Sequence, residues 1–161
     1  MLILASASPR RQALLRQIGA SFRVMATQAE ELTGSALSPE DLVSENARRK
    51  AMAALSAAGG APVLAADTVV ALEGAIFGKP RDTEDAVQML ARLSGLSHAV
   101  YTGVAVAVGT RMEVAVEKTV VEFAPLTMAQ IRRYVATGEP LDKAGAYAVQ
   151  GRAATFIVRI E

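Results

Sequence analysis

Apolar and polar positions alternate between short runs and helical stripes along the chain. Residues 2–5 form an apolar run that reads as a buried strand. Ser8 stands where a helix cap belongs, with Pro9 at the first helical position. Leu14, Leu15 and Ile18 share a helical face, and Gly19 supplies the stop. Residues 22–25 read as a second strand, and the polar "TQAEELTGSAL" as a connection outside the core. "SPED" at Ser38 opens a helix with a cap, a proline and two carboxylates, expected to run to about Ala58, before Gly59 and Gly60. "PVLAADTVVAL" is near-continuous apolar and β-branched, the pattern of a central strand covered on both faces. Turns are expected at Gly74 and Gly78, then a helix from "DTED" to near Gly95. Residues 98–108 and 112–123 flank Gly109–Thr110 as a long hairpin. Thr127 and Gln130 make a capping box for a helix ending at Gly138. The glycine-punctuated loop "EPLDKAGAYAVQG" leads to a last strand in "ATFIVRI". This order predicts a mixed α/β sheet.

Composition narrows the function classes. With 161 residues, the chain is expected to be one domain, or two small lobes around one sheet. A hydrophobic content of 52% against 20% charged residues supports a sizeable core. A net charge of +1 argues against a general nucleic-acid or membrane-surface binder, so any basic site is local. There is no cysteine, hence no disulfide framework, thiol nucleophile or thiolate metal site. The first apolar run has no basic lead and is too short for a signal peptide, and no run reaches the ~18 apolar residues of a membrane span. The expectation is a cytoplasmic protein.

Arg10 and Arg11 stand at the positive end of a helix dipole, where cations are disfavoured. An anion there reverses the argument. Unpaired first-turn N–H groups, the dipole, both guanidinium groups and the hydroxyls of Ser6 and Ser8 would then act together. On this reading either arginine could be removed with the free fold as stable as before, or slightly more so. Asp67 places a carboxylate inside a buried strand, which is costly unless paired or metal-bound. It is either a strand-end cap or a base and metal ligand, with Thr68 beside it as a hydroxyl donor. Glu31 is a candidate second carboxylate; the pair plus phosphate oxygens would suit Mg²⁺ or Mn²⁺. Lys50 follows two arginines on a helix. Lys79 in "GKP" and Lys143 in "DKAG" are placed for phosphate contacts or are plain exposed lysines. Gln150 could read a base edge. The sequence has no P-loop and no dinucleotide-binding glycine pattern, and His98, its one histidine, reads as structural.

Taken in order, "LASASPRR", Glu30–Glu31, "ARRKA", "LAADTVV", "GKPRD", "HAVYTGVAV" and "GEPLDKAGAYAVQG" resemble the Maf family of nucleoside triphosphate pyrophosphatases across nearly the whole chain. The resemblance implies an elongated mixed α/β fold with two lobes around a central cleft, similar to inosine triphosphate pyrophosphatases. It implies hydrolysis of a nucleoside triphosphate to the monophosphate and pyrophosphate with a divalent metal, Mg²⁺ or Mn²⁺. Ser6, Arg10 and Arg11 match its phosphate-binding motif, joined by Lys50 and Lys79. Glu31 matches its acidic residue, and Asp67 its proton acceptor. Glu31 and Asp67 are the implied metal ligands. Arg10, Thr68 and Gln150 match positions tied to substrate choice. "TGV" at residues 102–104 and the intact "DKAGAYAVQG" are similar to the dTTP/UTP branch. A pyrophosphatase for ITP, XTP or modified nucleotides, and a non-enzymatic nucleotide-binding regulator of cell division, remain alternatives. Residues 1–161 read as one domain of this kind, without the further C-terminal segment and helix usual in the family; a homodimer is an open assembly.

Overall fold

The computed structural model describes residues 1–34 and 36–161; Ser35, in the polar connection, lies outside them. The strands are β1 (Leu2–Leu4), β2 (Phe22–Val24), β3 (Val63–Leu72), β4 (Ala75–Phe77), β5 (Ser97–Val108), β6 (Arg111–Phe123) and β7 (Ile157–Ile160). The helices are α1 (Pro9–Gln17), α2 (Pro39–Leu55), α3 (Thr83–Leu93) and α4 (Met128–Val135). The strands form one mixed sheet in the order β2-β1-β3-β5-β6-β7, with β4 paired to β3. β1 pairs in parallel with β2 and β3, whereas β4 and β7 pair antiparallel with β3 and β6. β3 is central and largely buried, as its apolar run predicts.

Local signals set several boundaries. Asp82 caps α3 by accepting from the Asp85 N–H. Thr127 and Gln130 form the expected capping box of α4. α2 ends at Leu55 rather than Ala58, because Ala57 and Ala58 close shorter turns onto Ala54 and Leu55. The turn expected between Gly74 and Gly78 contains β4. The segment before β7 is a 3-10 turn, Arg152–Phe156.

α1 departs from the amphipathic expectation. It has no buried residue, and Leu14 and Ile18 are 53% and 76% exposed. The partly covered stripe instead carries Arg11 and Leu15, one turn apart. Arg11 fills a position where an apolar residue would pack.

The chain divides into two compact units, each with its own core. The first comprises Met1–Thr33, Glu40–Asp67 and Thr102–Glu117. Its core is built from small side chains: Ala47, Ala51 and Ala54 on α2 pack with Ala65, Ala105 and Ala107. Small residues let α2 approach the strands closely. Gly103 marks the limit, since a Cβ there would overlap the Val43 carbonyl oxygen. The second unit comprises Gly34–Pro39, Thr68–Tyr101 and Lys118–Glu161. Its core is larger-grained, with Leu90, Leu93, Val121, Phe123, Ile131 and Tyr134. His98 lies inside it. Its Nε2 is 2.7 Å from the Tyr147 hydroxyl, and its ring packs edge-on to Phe123 at 4.9 Å. Nδ1 has no hydrogen-bond partner of good geometry among the described residues. Burial pushes the His98 pKa down to about 4, opposed by the Leu96 backbone.

Two outcomes follow. Gly103→Ala should cost about 1–3 kcal/mol in chemical denaturation, by overpacking α2 against β5. For His98, the folded pKa lies below that of the unfolded chain. Its contribution is therefore intact above pH 6.5 and lost as the pH falls toward about 4, where only the unfolded chain takes up the proton. Thermal midpoints of the wild type should drop across that window more steeply than those of His98→Gln.

Candidate active site

Asp67 is the fifth residue of the ten-residue β3, an interior position rather than a strand end, and its side chain is 10% exposed. A carboxylate there needs a partner at each oxygen. Oδ1 accepts from Lys50 Nζ at 2.7 Å, and Oδ2 accepts from Asn46 Nδ2 at 3.0 Å. Asn46 and Lys50 are one turn apart on α2 and so present to the same side. Lys50 Nζ also reaches Glu31 Oε1 at 2.9 Å. Asn46 Oδ1 accepts the Leu32 N–H at 2.7 Å, and its Nδ2 donates to the Leu32 carbonyl at 3.1 Å. The loop bearing Glu31 is thus held to the same helix that grips Asp67.

Ser6 and Arg11, from the start of the chain, reach the residue before Asp67. Buried Ser6 Oγ accepts the Ser8 N–H at 3.3 Å and an Arg11 Nη1–H at 3.1 Å. The same Nη1 donates to the Ala66 carbonyl at 2.8 Å. Arg11 is therefore anchored one residue before the carboxylate. Burial lowers its pKa, opposed by the attraction of Asp67 and assisted by Arg10. The guanidinium remains a cation throughout the working range. Ser8 occupies the N-cap of α1, but its hydroxyl makes no cap bond and no acidic residue stands in the first turn. Arg10 forms no hydrogen bond or ion pair with a described residue.

The first unit thus gathers Ser6, Arg11, Glu31, Lys50 and Asp67, with Arg10 at the same helix end. Lys50 and Arg11 stand by the two carboxylates and Arg10 adds a further cation at the end of α1, an excess that suits a polyanion. Asp67 Oδ1 and Glu31 Oε1 converge on one cationic atom, Lys50 Nζ. Hard oxygens that already share a cation suit Mg²⁺ or Mn²⁺. Among the described residues no group of three or more His, Cys, Asp or Glu is placed for a metal. Glu31 and Asp67 are the carboxylates that could hold a divalent metal here; Mg²⁺ is commonly bound through one or two carboxylates, with water and substrate phosphates completing its shell. The role of Asn46 is not announced by any motif in the sequence. Its signal is an amide, a poor helix former, set beside the buried stripe of Val43 and Ala47.

Thr68, Lys79 and Gln150 belong to the second unit. Lys79 is exposed and bonds to no described residue. The Gly145 N–H donates to the Gly78 carbonyl at 3.0 Å, which joins the "GKP" turn to the "DKAG" loop. Gly145 has φ +65° and packs where a Cβ would meet Val70 Cγ2 at 2.6 Å, so only glycine fits. Lys143 spends its ammonium on the Glu139 carbonyl and on Asp142 Oδ1, each at 2.6 Å. A cavity of about 550 Å³ lined by Leu37, Leu72, Ile76 and Tyr101 contains none of the candidate residues.

The arginines now part company. Arg10→Ala should change unfolding free energy by less than about 0.5 kcal/mol. Arg11→Ala should cost about 1–3 kcal/mol, because it removes the guanidinium from the Ala66 carbonyl and leaves buried Ser6 Oγ with the Ser8 N–H in place of two donors. Urea denaturation of the two variants separates them, and equal costs would contradict the assignment.

The family model described as a Maf-like protein matches residues 1–161. A dTTP/UTP pyrophosphatase of Pelotomaculum thermopropionicum is 52% identical over 162 residues, spanning 99% of this chain and 85% of that protein. One from Symbiobacterium thermophilum is 55% identical over 159 residues, spanning 99% and 82%. The structure of the Staphylococcus aureus Ham1 protein aligns with a TM-score of 0.58 at 15% identity, covering 96% of this chain and 90% of that one. That likeness is one of fold. With a matching motif order, a full-length family match and relatives at half identity, the chain belongs to the Maf family.

Proposed function

We propose that this chain is a nucleoside triphosphate pyrophosphatase that hydrolyses dTTP and UTP to the monophosphate and pyrophosphate. The names of its half-identical relatives support the activity and the substrate class. The observation that carries the chemistry is Asp67, buried in β3 and linked through Lys50 to Glu31. The triphosphate lies against the open end of α1, where Ser6, Arg10 and Arg11 receive its oxygens, with Lys50 and Lys79 as further cations. Asp67 takes the proton of a water that attacks the α-phosphorus; the bond from that phosphorus to the bridging oxygen breaks, and pyrophosphate leaves. Asn46 holds Asp67 Oδ2, which leaves Oδ1 for the water once phosphate oxygens compete for Lys50. A divalent metal held by Glu31 and Asp67 would supply neutralisation of the phosphate charge. Catalysis is mainly positioning and electrostatics. Thr68, Arg10 and Gln150 select the nucleotide, and the cytoplasmic pool supplies it. No helix among the described residues is long and apolar enough to cross a membrane.

A panel of dTTP, UTP, CTP, ITP and XTP with pyrophosphate detection tests the reading. Turnover should be highest with dTTP and UTP; preference for ITP or XTP, or no release from any, would overturn it. Asp67→Asn should lower kcat by about 10²-fold or more while dTTP still binds by calorimetry. Near-wild-type turnover in that variant would remove Asp67 from the role of base.

A further inference from the structure

Gln150 is exposed, and its side chain bonds to no described residue. Its aim is therefore set by the backbone that carries it. An amide presents a donor and an acceptor together, so discrimination depends on where it is held. The Gly151 N–H closes onto the Ala148 carbonyl at 3.1 Å, which makes residues 148–151 a turn. Ahead of the turn, Tyr147 is fixed by His98 at 2.7 Å and by the Phe123 ring at 4.7 Å. Behind it, the Arg152 N–H donates to both carboxylate oxygens of Glu139, at 2.9 and 3.2 Å.

Glu139 is itself immobilised. The Tyr134 hydroxyl donates to Oε1 at 3.0 Å, the Glu139 N–H donates to Thr137 Oγ1 at 3.2 Å, and its carbonyl takes the Lys143 ammonium. Gly151 has φ −106°, so glycine is not needed there for its backbone angles. It is needed for space, since a Cβ at Gly151 would overlap Glu139 Oε1. One carboxylate thus occupies the place of a side chain directly after Gln150 and clamps the next peptide.

The geometry points to Glu139 as a positioning residue for nucleotide selectivity: its carboxylate fixes the Gly151–Arg152 backbone and thereby the aim of Gln150 at the pyrimidine edge. The inference rests on the reading of Gln150 as a base-selecting residue.

The test is the ratio of kcat/KM for UTP to that for CTP, in variants of the 161-residue chain, at a temperature where circular dichroism shows each folded. Gln150→Ala should lower the ratio about tenfold, the scale of one hydrogen bond. Glu139→Ala should lower it by a similar factor, chiefly through KM for UTP. The double variant should be no less selective than the worse single one, because both act through one contact. Glu139→Gln keeps an acceptor for Arg152 and Tyr134 and should restore most of the ratio. Gly151→Ala displaces the carboxylate while leaving it in the chain, and should act in the same direction even if Glu139→Ala does not fold. If Gln150→Ala leaves the ratio unchanged, the reading of Gln150 fails. If Gln150→Ala collapses the ratio while folded Glu139→Ala or Gly151→Ala lowers kcat/KM equally for both nucleotides, Glu139 is a structural clamp only and the inference is overturned.

Discussion

A carboxylate buried in the interior of a central strand governs the first unit. Asp67 can remain there only because α2 delivers an ammonium to one oxygen and an amide to the other. Removing one member of such a buried pair commonly costs about 3–5 kcal/mol, a large part of the roughly 5–15 kcal/mol by which domains are stable. The register of α2 against β3 is therefore fixed by charge as well as by shape. The alanine stripe and Gly103 serve that requirement, since a helix held farther out could not reach Asp67 with side chains as short as asparagine. Packing and chemistry are one problem in this unit.

The same arrangement sets how the cations of the first unit are held. Lys50 satisfies both carboxylates within the protein, so the burial of Asp67 needs no external ion. Arg11 is committed to Ser6 and Ala66, yet keeps its charge at the end of α1. Arg10 has no hydrogen bond or ion pair with a described residue. The three cations thus differ in cost of use: among the described residues Arg10 has no bonded partner, Lys50 is shared between carboxylates, and Arg11 is part of the fold.

What could be read from the sequence was what is local. The caps at Asp82 and Thr127 lie within one turn of what they bind. The burial of Asp67 followed from its apolar flanks. Partners distant in sequence were not legible: Ala66 lies 55 residues from Arg11, and Asp67 lies 21 from Asn46. Leu14 and Ile18 show a related limit. Spacing tells which residues share a helix face, not whether anything covers it. β4 was missed because three residues between two glycines are too few to display a period. Lys143 looked free in "DKAG" because the carbonyl it serves belongs to a turn no pattern announces.

The double grip of Asn46 on Leu32 has a topological consequence. It closes a loop between residues 14 apart, with Glu31 just outside the closure. The entropy of loop closure grows only with the logarithm of length, about 0.6 kcal/mol per doubling. Residues can therefore be gained or lost between Leu32 and α2 at small thermodynamic cost, while Glu31 keeps its station beside Lys50. Tolerance resides in the connection; none is left in the clasp, where one additional methylene would shift the acid relative to the strand.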